Sequence, residues 1–192
     1  MAKSLSLLLL LLSILTISAS AFNGGASSFI KSKCSAATYP DLCVQSLSSF
    51  SSTIQRNPRQ LVQTALAVSL SHAQSTRSFV WKLTKFSGLK PRERAALKDC
   101  MEEVGDTVDR LNKSVEELKR VSGSKKDFQW HISNVETWVS AAMTDENTCS
   151  DGFAGSALNG RIKSSVRGRI VDVTRVISNA LSLINKYAEN QS

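Results

Sequence analysis

The sequence predicts an all-α protein, an up-down-up-down four-helix bundle preceded by an N-terminal disulfide-stapled helical hairpin. Apolar residues recur at steps of three and four along long stretches, which is the spacing of one buried helix face. No stretch shows the sustained apolar–polar alternation of a half-buried strand. Short polar connections join the long helical segments, as is typical of antiparallel neighbours in a bundle.

Residues 1–21 are a predicted signal peptide. Lys3 gives a short positive start, Leu7–Leu12 is an unbroken leucine run, and Ala19-Ser20-Ala21 has the small residues of a cleavage site. The alternative, a membrane anchor, is disfavoured because the apolar run is short for a hydrocarbon core about 30 Å thick. No later segment is apolar enough to cross a membrane, so we expect a secreted protein without a membrane segment after cleavage.

Residues 22–56 are predicted to form the hairpin and a connector. A short helix over Phe29–Cys34 precedes Thr38-Tyr39-Pro40, which has the composition of a turn. A second helix is expected over Asp41–Phe50. Ser51–Arg56 then connects the hairpin to the bundle.

The bundle itself is predicted over residues 57–192. Its first helix begins at Asn57-Pro58, an N-cap followed by a first-turn proline, and ends at Gly88. The expected limits of the other three helices are Pro91–Arg120, Asp127–Thr148 and Ile162–Tyr187.

Four cysteines in a secreted chain predict two disulfides. Cys100 and Cys149 are equidistant from the polar turn that joins the second and third bundle helices, so an antiparallel pair would bring them together. Cys34 and Cys43 flank the turn of the hairpin. We predict the pairs Cys34–Cys43 and Cys100–Cys149. A metal site is not expected, because the chain has only two histidines and no Cys-x-x-Cys pair.

The formal net charge is +8, and it falls to +7 when Lys3 leaves with the signal peptide. A secreted protein rarely meets nucleic acid, so the basic charge favours acidic polysaccharide or another anionic surface as a partner. The alternative is that the charge only keeps the protein soluble. His72 and His131 lie in no nucleophile–base motif and no glycine-rich phosphate loop precedes a helix, so we expect no catalytic residues, no cofactor and no enzyme activity.

Two features of the predicted surface remain. Asn112-Lys113-Ser114 is a glycosylation motif, but it falls inside a predicted helix, which disfavours modification of Asn112. The second bundle helix carries a row of carboxylates opposite its apolar seam, and the third carries a strip of small residues that leads to Asp151. These residues are Asp99, Glu102, Glu103, Asp106, Asp109, Thr137, Ser140, Ala141, Thr144 and Thr148. Such a face allows close docking of another protein; the alternative is an ordinary solvated surface.

Over nearly all its mature length the chain resembles the plant invertase and pectin methylesterase inhibitor family. The resemblance is carried by Tyr39-Pro40-Asp41-Leu42-Cys43 after Cys34, by Leu97-Lys98-Asp99-Cys100, and by Thr144-Asp145-Glu146-Asn147-Thr148-Cys149. It implies a four-helix bundle behind a helical hairpin, with disulfides paired first to second and third to fourth. That pairing agrees with the one expected from the turns.

The resemblance also implies inhibition of a cell-wall carbohydrate enzyme through a one-to-one protein complex. Invertase inhibitors of the family carry Pro-Lys-Phe between the second and third bundle helices, where this chain reads Lys126-Asp127-Phe128. The run Val135–Ala142 is similar to the pectin methylesterase branch, whose members lie across the pectin-binding cleft of that enzyme. The run is also similar to the pro-region of some pectin methylesterases, but the chain ends where a catalytic domain would begin, so we expect a stand-alone inhibitor.

By position, Thr148, Asp151 and Asp106 match contact residues of that branch, and Glu102 is a weaker match. The expected location is the apoplast or cell wall. Two alternatives stay open: an inhibitor of cell-wall or vacuolar invertase, and a non-inhibitory wall protein that holds pectin through its basic charge.

Overall fold

The computed structural model describes residues 25–121, 124–158 and 160–191. The predicted signal peptide at residues 1–21 therefore lies outside the described residues. Residues 25–34 form α1, and the later helices are α2 (Pro40–Leu47), α3 (Ser51–Ile54), α4 (Pro58–Thr84), α5 (Pro91–Arg120), α6 (Lys125–Asp151) and α7 (Arg161–Glu189). No strand occurs within these ranges, and none of their helices is both long and apolar enough to cross a bilayer.

The four long helices form a closed ring, in which α4 packs against α5, α5 against α6, α6 against α7, and α7 against α4. The α5–α6 pair therefore lies opposite the α4–α7 pair. The hairpin packs against the α4–α7 pair, where α2 contacts both helices. The predicted bundle with a preceding hairpin is confirmed.

Two bundle helices show how local chemistry sets their first turns. The Asn57 side chain accepts hydrogen bonds from the backbone N–H groups of Arg59 and Gln60 at 2.9 and 3.3 Å, so α4 begins as predicted. Helix α6 begins earlier than expected because Ser124, not Asp127, is its N-cap. The Ser124 hydroxyl accepts from the Asp127 N–H at 3.3 Å, which leaves the Asp127 carboxylate in the first turn, where a negative charge is favourable.

The remaining boundaries differ modestly from the prediction. Helix α4 ends at Thr84 rather than Gly88, and α6 continues to Asp151 rather than Thr148. The predicted connector contains α3, because Ile54 is apolar and becomes fully buried. Helix α2 stops at Leu47 and is followed by a 3₁₀ turn at Ser48–Phe50.

The apolar interior consists of two clusters. The larger one lies at the hairpin end and includes Cys34 and Cys43. The smaller one lies at the opposite end and includes Cys100, Cys149 and the fully buried Phe153. Each cluster thus contains one disulfide.

A buried polar layer separates the two clusters. Along α4, α5 and α6 in turn, Thr76, Thr107 and Glu146 each fall between a residue of one cluster and a residue of the other. Both predicted disulfides are present, with Cα–Cα distances of 5.6 Å for Cys34–Cys43 and 4.4 Å for Cys100–Cys149.

Candidate partner-binding face

The Cys100–Cys149 disulfide holds the ends of α5 and α6 side by side and organises the surface around it. Thr148 and Asp151 flank the second cysteine, and both are exposed. Beyond Asp151 the chain turns tightly at Gly152, where an added Cβ would lie only 3.3 Å from the Cys149 carbonyl oxygen. Phe153 then enters the core. Asp151 is therefore anchored on both sides, by a buried bridge and by a buried ring.

A strip of small side chains runs along α6 toward this corner. The Thr137, Thr144 and Thr148 hydroxyls each donate to the backbone carbonyl four residues earlier, at 2.8, 3.4 and 3.0 Å. These bonds hold the hydroxyls against the helix, and all three residues are exposed. The strip is therefore flat and can be approached closely by another surface.

The neighbouring stretch of α5 is acidic. Glu102 and Asp106 are exposed and Glu103 is half-buried. Partial burial, together with the surrounding carboxylates of Asp145, Asp106 and Glu102, raises the pKa of Glu103, although nearby Arg110 acts in the opposite direction. We call this acidic stretch and the small-residue strip with Asp151 the α5–α6 face.

All four predicted contact residues, Asp106, Thr148, Asp151 and Glu102, are thus accessible on α5 and α6. The motif residues Asp145 and Glu146, by contrast, are both buried. Asp145 is paired, since it accepts a hydrogen bond from Arg110 Nε at 2.6 Å.

Glu146 is the unusual member of this region. Its side chain is 0% exposed, and neither carboxylate oxygen has a hydrogen-bond partner among the residues that the structure describes. Burial raises its pKa to about 8, an effect that the nearby Thr107 hydroxyl opposes and the Asp145 charge reinforces. The Thr107 hydroxyl itself donates to the Ala142 carbonyl at 3.3 Å, so it stabilises a Glu146 carboxylate only weakly. With a pKa of about 8, Glu146 is mostly protonated and therefore mostly uncharged at pH 7.

The buried and protonated state of Glu146 was not predicted from the sequence, although its position in the helix indicates it. Glu146 continues the apolar seam of α6, lying four residues after Ala142 and three before Cys149. A carboxylate at such a position is expected in the core, where it is neutral or paired.

Another buried carboxylate, Glu117, lies near the other end of the α5–α6 pair. Its Oε1 accepts hydrogen bonds from Asn134 Nδ2 at 2.8 Å and from His131 Nδ1 at 2.9 Å. Both bonds lower the pKa of Glu117, and the bond from Asn134 has the larger effect. His131 thus connects α6 to α5 and has a structural role.

The residues at the place of the invertase-inhibitor tripeptide are part of this helix. Lys126, Asp127 and Phe128 all belong to the first turn of α6. The Phe128 ring packs edge-on against Tyr187 of α7, with the ring centroids 5.5 Å apart. Phe128 is therefore partly buried within the bundle rather than presented on a free loop.

Other candidate sites are unsupported. Within the described ranges no group of three or more His, Cys, Asp or Glu side chains could hold a metal ion. His72 is exposed on α4. Asn112 is exposed, but Ser114 of its glycosylation motif is fully buried and donates to the Arg110 carbonyl at 2.9 Å, so the folded motif is inaccessible.

These features define a disulfide-stapled helical bundle with a rigid, flat and acidic face. Residues 28–183 match the family described as plant invertase/pectin methylesterase inhibitor. The chain belongs to this family.

Individual relatives agree over most of the chain. It is 52% identical to the "21 kDa protein" of Daucus carota, with 91% of each chain covered, and 49% identical to "Pectinesterase inhibitor 11" of Arabidopsis thaliana, covering 97% of this chain and 96% of that one. A solved pectin methylesterase inhibitor from Arabidopsis, in mutant form, shares the fold with a TM-score of 0.63 at 22% identity, covering 79% of this chain and 92% of the other.

Proposed function

We propose that this protein is a secreted inhibitor of pectin methylesterase that acts in the apoplast and has no catalytic activity of its own. The α5–α6 face binds the enzyme in a one-to-one complex and denies pectin access to its cleft. Membership of the inhibitor family supports this function, as do the relatives named pectinesterase inhibitors.

The exposure of the matched contact positions supports the α5–α6 face as the binding surface. Asp106, Thr148 and Asp151, the positions that match contact residues of the pectin methylesterase branch, are exposed on two helices that Cys100–Cys149 joins. A surface that is rigid before binding loses little conformational entropy when it docks. Its carboxylates can meet the cationic groups that would otherwise hold the anionic pectin chain.

Packing of Phe128 supports pectin methylesterase over invertase as the target. An inhibitor that inserts a tripeptide into an active site needs that segment to be available, whereas this segment is helical and its aromatic ring contacts Tyr187. An invertase inhibitor that used this region would have to unfold the first turn of α6.

The test is a titration of the purified mature protein against a plant pectin methylesterase and a wall invertase, side by side. We expect inhibition of the esterase alone and a complex mass of one inhibitor plus one enzyme by light scattering. The double variant Thr148→Ala/Asp151→Ala should weaken inhibition by on the order of tenfold or more, the effect of losing about 1.4 kcal/mol.

A matched control variant is Asp41→Ala/Thr53→Ala, which makes the same chemical change at exposed residues of the hairpin region. It should inhibit like the unaltered protein. Equal inhibition by both double variants, with helix content unchanged, would remove the α5–α6 face from the proposal.

A second interaction follows from the net charge, which is +8 for the full chain and +7 once Lys3 has left with the signal peptide. The proposed inhibitor works in a wall that contains polyuronate, and a basic protein is attracted to such a polyanion. We include a salt-sensitive association with pectin in the proposed function.

A further inference from the structure

Basic charge is concentrated on the helices α4 and α7, the pair that lies opposite α5 and α6. Between residues 42 and 92 the chain contains no Asp or Glu and seven cations, which are Arg56, Arg59, Arg77, Lys82, Lys85, Lys90 and Arg92. Helix α4 lies wholly within this stretch and carries three of these cations, Arg59, Arg77 and Lys82. Helix α7 adds six cations against two carboxylates, Asp172 and Glu189.

Most of these charges are not neutralised within the protein. In the part of the chain that the structure describes, Lys186 of α7 pairs with Glu189 of the same helix, and no ion pair engages α4. Arg169 and Arg175 of α7 have no carboxylate within ion-pair distance in the same described residues. Their charge is therefore available to an external anion.

A groove lies beside these two arginines, where α4 and α7 meet the hairpin. Its volume is about 770 Å³, and its lining includes Tyr39, His72, Arg169 and Arg175. Two adjoining hollows of about 200 and 600 Å³ also have His72 in their walls, so the groove continues along α4. An elongated groove of this kind fits a chain rather than a compact ligand.

The two arginines are held in position. Arg169 Nη2 donates to Ser75 Oγ at 2.9 Å, and the guanidinium lies 5.6 Å from the centre of the Phe79 ring. The Arg175 guanidinium lies 5.4 Å from the centre of the Tyr39 ring. Contacts of this kind restrict a long side chain before a ligand arrives, which lowers the entropy cost of binding.

We infer that the groove containing Arg169 and Arg175 is a binding site for a polyuronate chain, such as the demethylesterified regions of pectin. The planar guanidinium groups match carboxylates, with two parallel hydrogen bonds available to each. Tyr39, which is 39% exposed, offers an aromatic surface for a sugar ring. This inference rests on the proposed association with pectin and assigns it to one surface.

Two carboxylates in the groove wall, Asp41 and Asp172, oppose the attraction. If binding depends on local charge, removing one of these negative charges should strengthen the binding of a polyanion, whereas removing an arginine should weaken it. Attraction through the net charge of the whole protein would respond equally to any charge change on the surface.

Direct binding to polygalacturonate of defined length, measured by calorimetry on the mature protein at low salt, tests the site. We expect Arg169→Glu/Arg175→Glu to weaken binding by on the order of tenfold and to reduce its salt sensitivity. Asp172→Asn should strengthen binding about two- to threefold at low ionic strength. Fully methylesterified pectin should bind poorly to every variant, because it lacks the anionic groups.

The matched control is Arg94→Glu/Lys113→Glu, the same charge reversal at two exposed residues of α5. If this control weakens binding as much as the groove variant, net charge alone attracts the polymer and the site is refuted. Equal binding of the groove variant and the unaltered protein, or a preference for anionic lipid vesicles or DNA over polygalacturonate, would refute it too.

Esterase inhibition separates this inference from the proposed function. Arg169→Glu/Arg175→Glu should inhibit pectin methylesterase normally in a soluble assay, since both changes lie on the opposite helix pair. Thr148→Ala/Asp151→Ala should bind polygalacturonate normally. Loss of polymer binding with retained inhibition therefore identifies the groove, and loss of inhibition with retained polymer binding identifies the α5–α6 face.

Discussion

Arg110 of α5 donates a hydrogen bond from Nε to Oδ2 of Asp145 on α6, at 2.6 Å. The Asp145 side chain is only 10% exposed and that of Arg110 is 37% exposed. The pair connects the two helices beside the candidate face, and it places a cation among the carboxylates that surround Glu103.

Removing Arg110 leaves Asp145 buried without its partner and close to Glu103. We expect Arg110→Ala to lower the free energy of unfolding by about 1–2 kcal/mol, less than for a fully buried pair because water screens the arginine. Urea denaturation measures this. The double variant Arg110→Ala/Asp145→Asn should recover part of the loss; if it is no more stable than Arg110→Ala, the unpaired charge is not the cause.

The neutral carboxyl of Glu146 predicts that stability depends on pH. The folded pKa of about 8 lies above the ordinary value of 4.5, so the folded protein keeps a proton that the unfolded chain loses. The contribution of Glu146 to stability should therefore be fully present below pH 4.5 and should be lost as the pH rises to 8. At about 1.4 kcal/mol per pKa unit, the loss between pH 5 and 8 is roughly 3 kcal/mol.

The variant Glu146→Gln should remove this dependence, so its stability matches the unaltered protein near pH 5 and exceeds it near pH 8. Thermal unfolding measured across this range is the test. Glu189→Gln, an exposed residue at the end of α7, is the control and should leave the profile unchanged. Parallel profiles for Glu146→Gln and the unaltered protein would mean that Glu146 is ionised in the fold.

For Glu117 we expect a pH dependence of stability opposite in sign to that of Glu146. Its pKa is lowered by Asn134 and His131, so its contribution to stability is present above pH 4.5 and is lost as the pH falls through the folded value. Glu117→Ala should cost about 2 kcal/mol at pH 7, because it leaves two partly buried donors, Asn134 and His131, without their acceptor. The cost should shrink at pH 3. Glu116→Ala, its exposed neighbour, should cost much less at either pH.

The Cys100–Cys149 disulfide should affect inhibition before it affects helix content. Removing the link over 49 residues with Cys100→Ser/Cys149→Ser should cost roughly 4 kcal/mol by the chain-entropy estimate. Circular dichroism and esterase inhibition, followed together during denaturation of this variant, show whether inhibition is lost before helix content. If both are lost together, the bridge contributes to folding alone.

The fold was predictable because its signals are local. Helix spacing, proline at the start of α4 and α5, and cysteines placed symmetrically about a turn are all visible in one sequence. Ser124 shows the limit of such signals: the sequence predicted that this helix begins at Asp127, whereas Ser124, three residues earlier, is its N-cap.

The candidate site was less predictable. Exposure of Asp106 and Thr148 followed from their helix positions, but the neutral state of Glu146 depends on the dielectric of a core built from several helices. The groove at Arg175 required α7 to meet Tyr39 of the hairpin, a contact between residues far apart in the chain. The spacing of residues within a single helix does not reveal a tertiary contact of this kind.

The division of the interior into two clusters has a consequence for motion. Each cluster has its own disulfide, and the layer of Thr76, Thr107 and Glu146 between them contributes little apolar contact. The bundle should therefore open in two cooperative units, and hydrogen exchange should resolve them as separate groups of amides. Raising the pH from 5 toward 8 should speed exchange first in the amides nearest Glu146, where the two units meet.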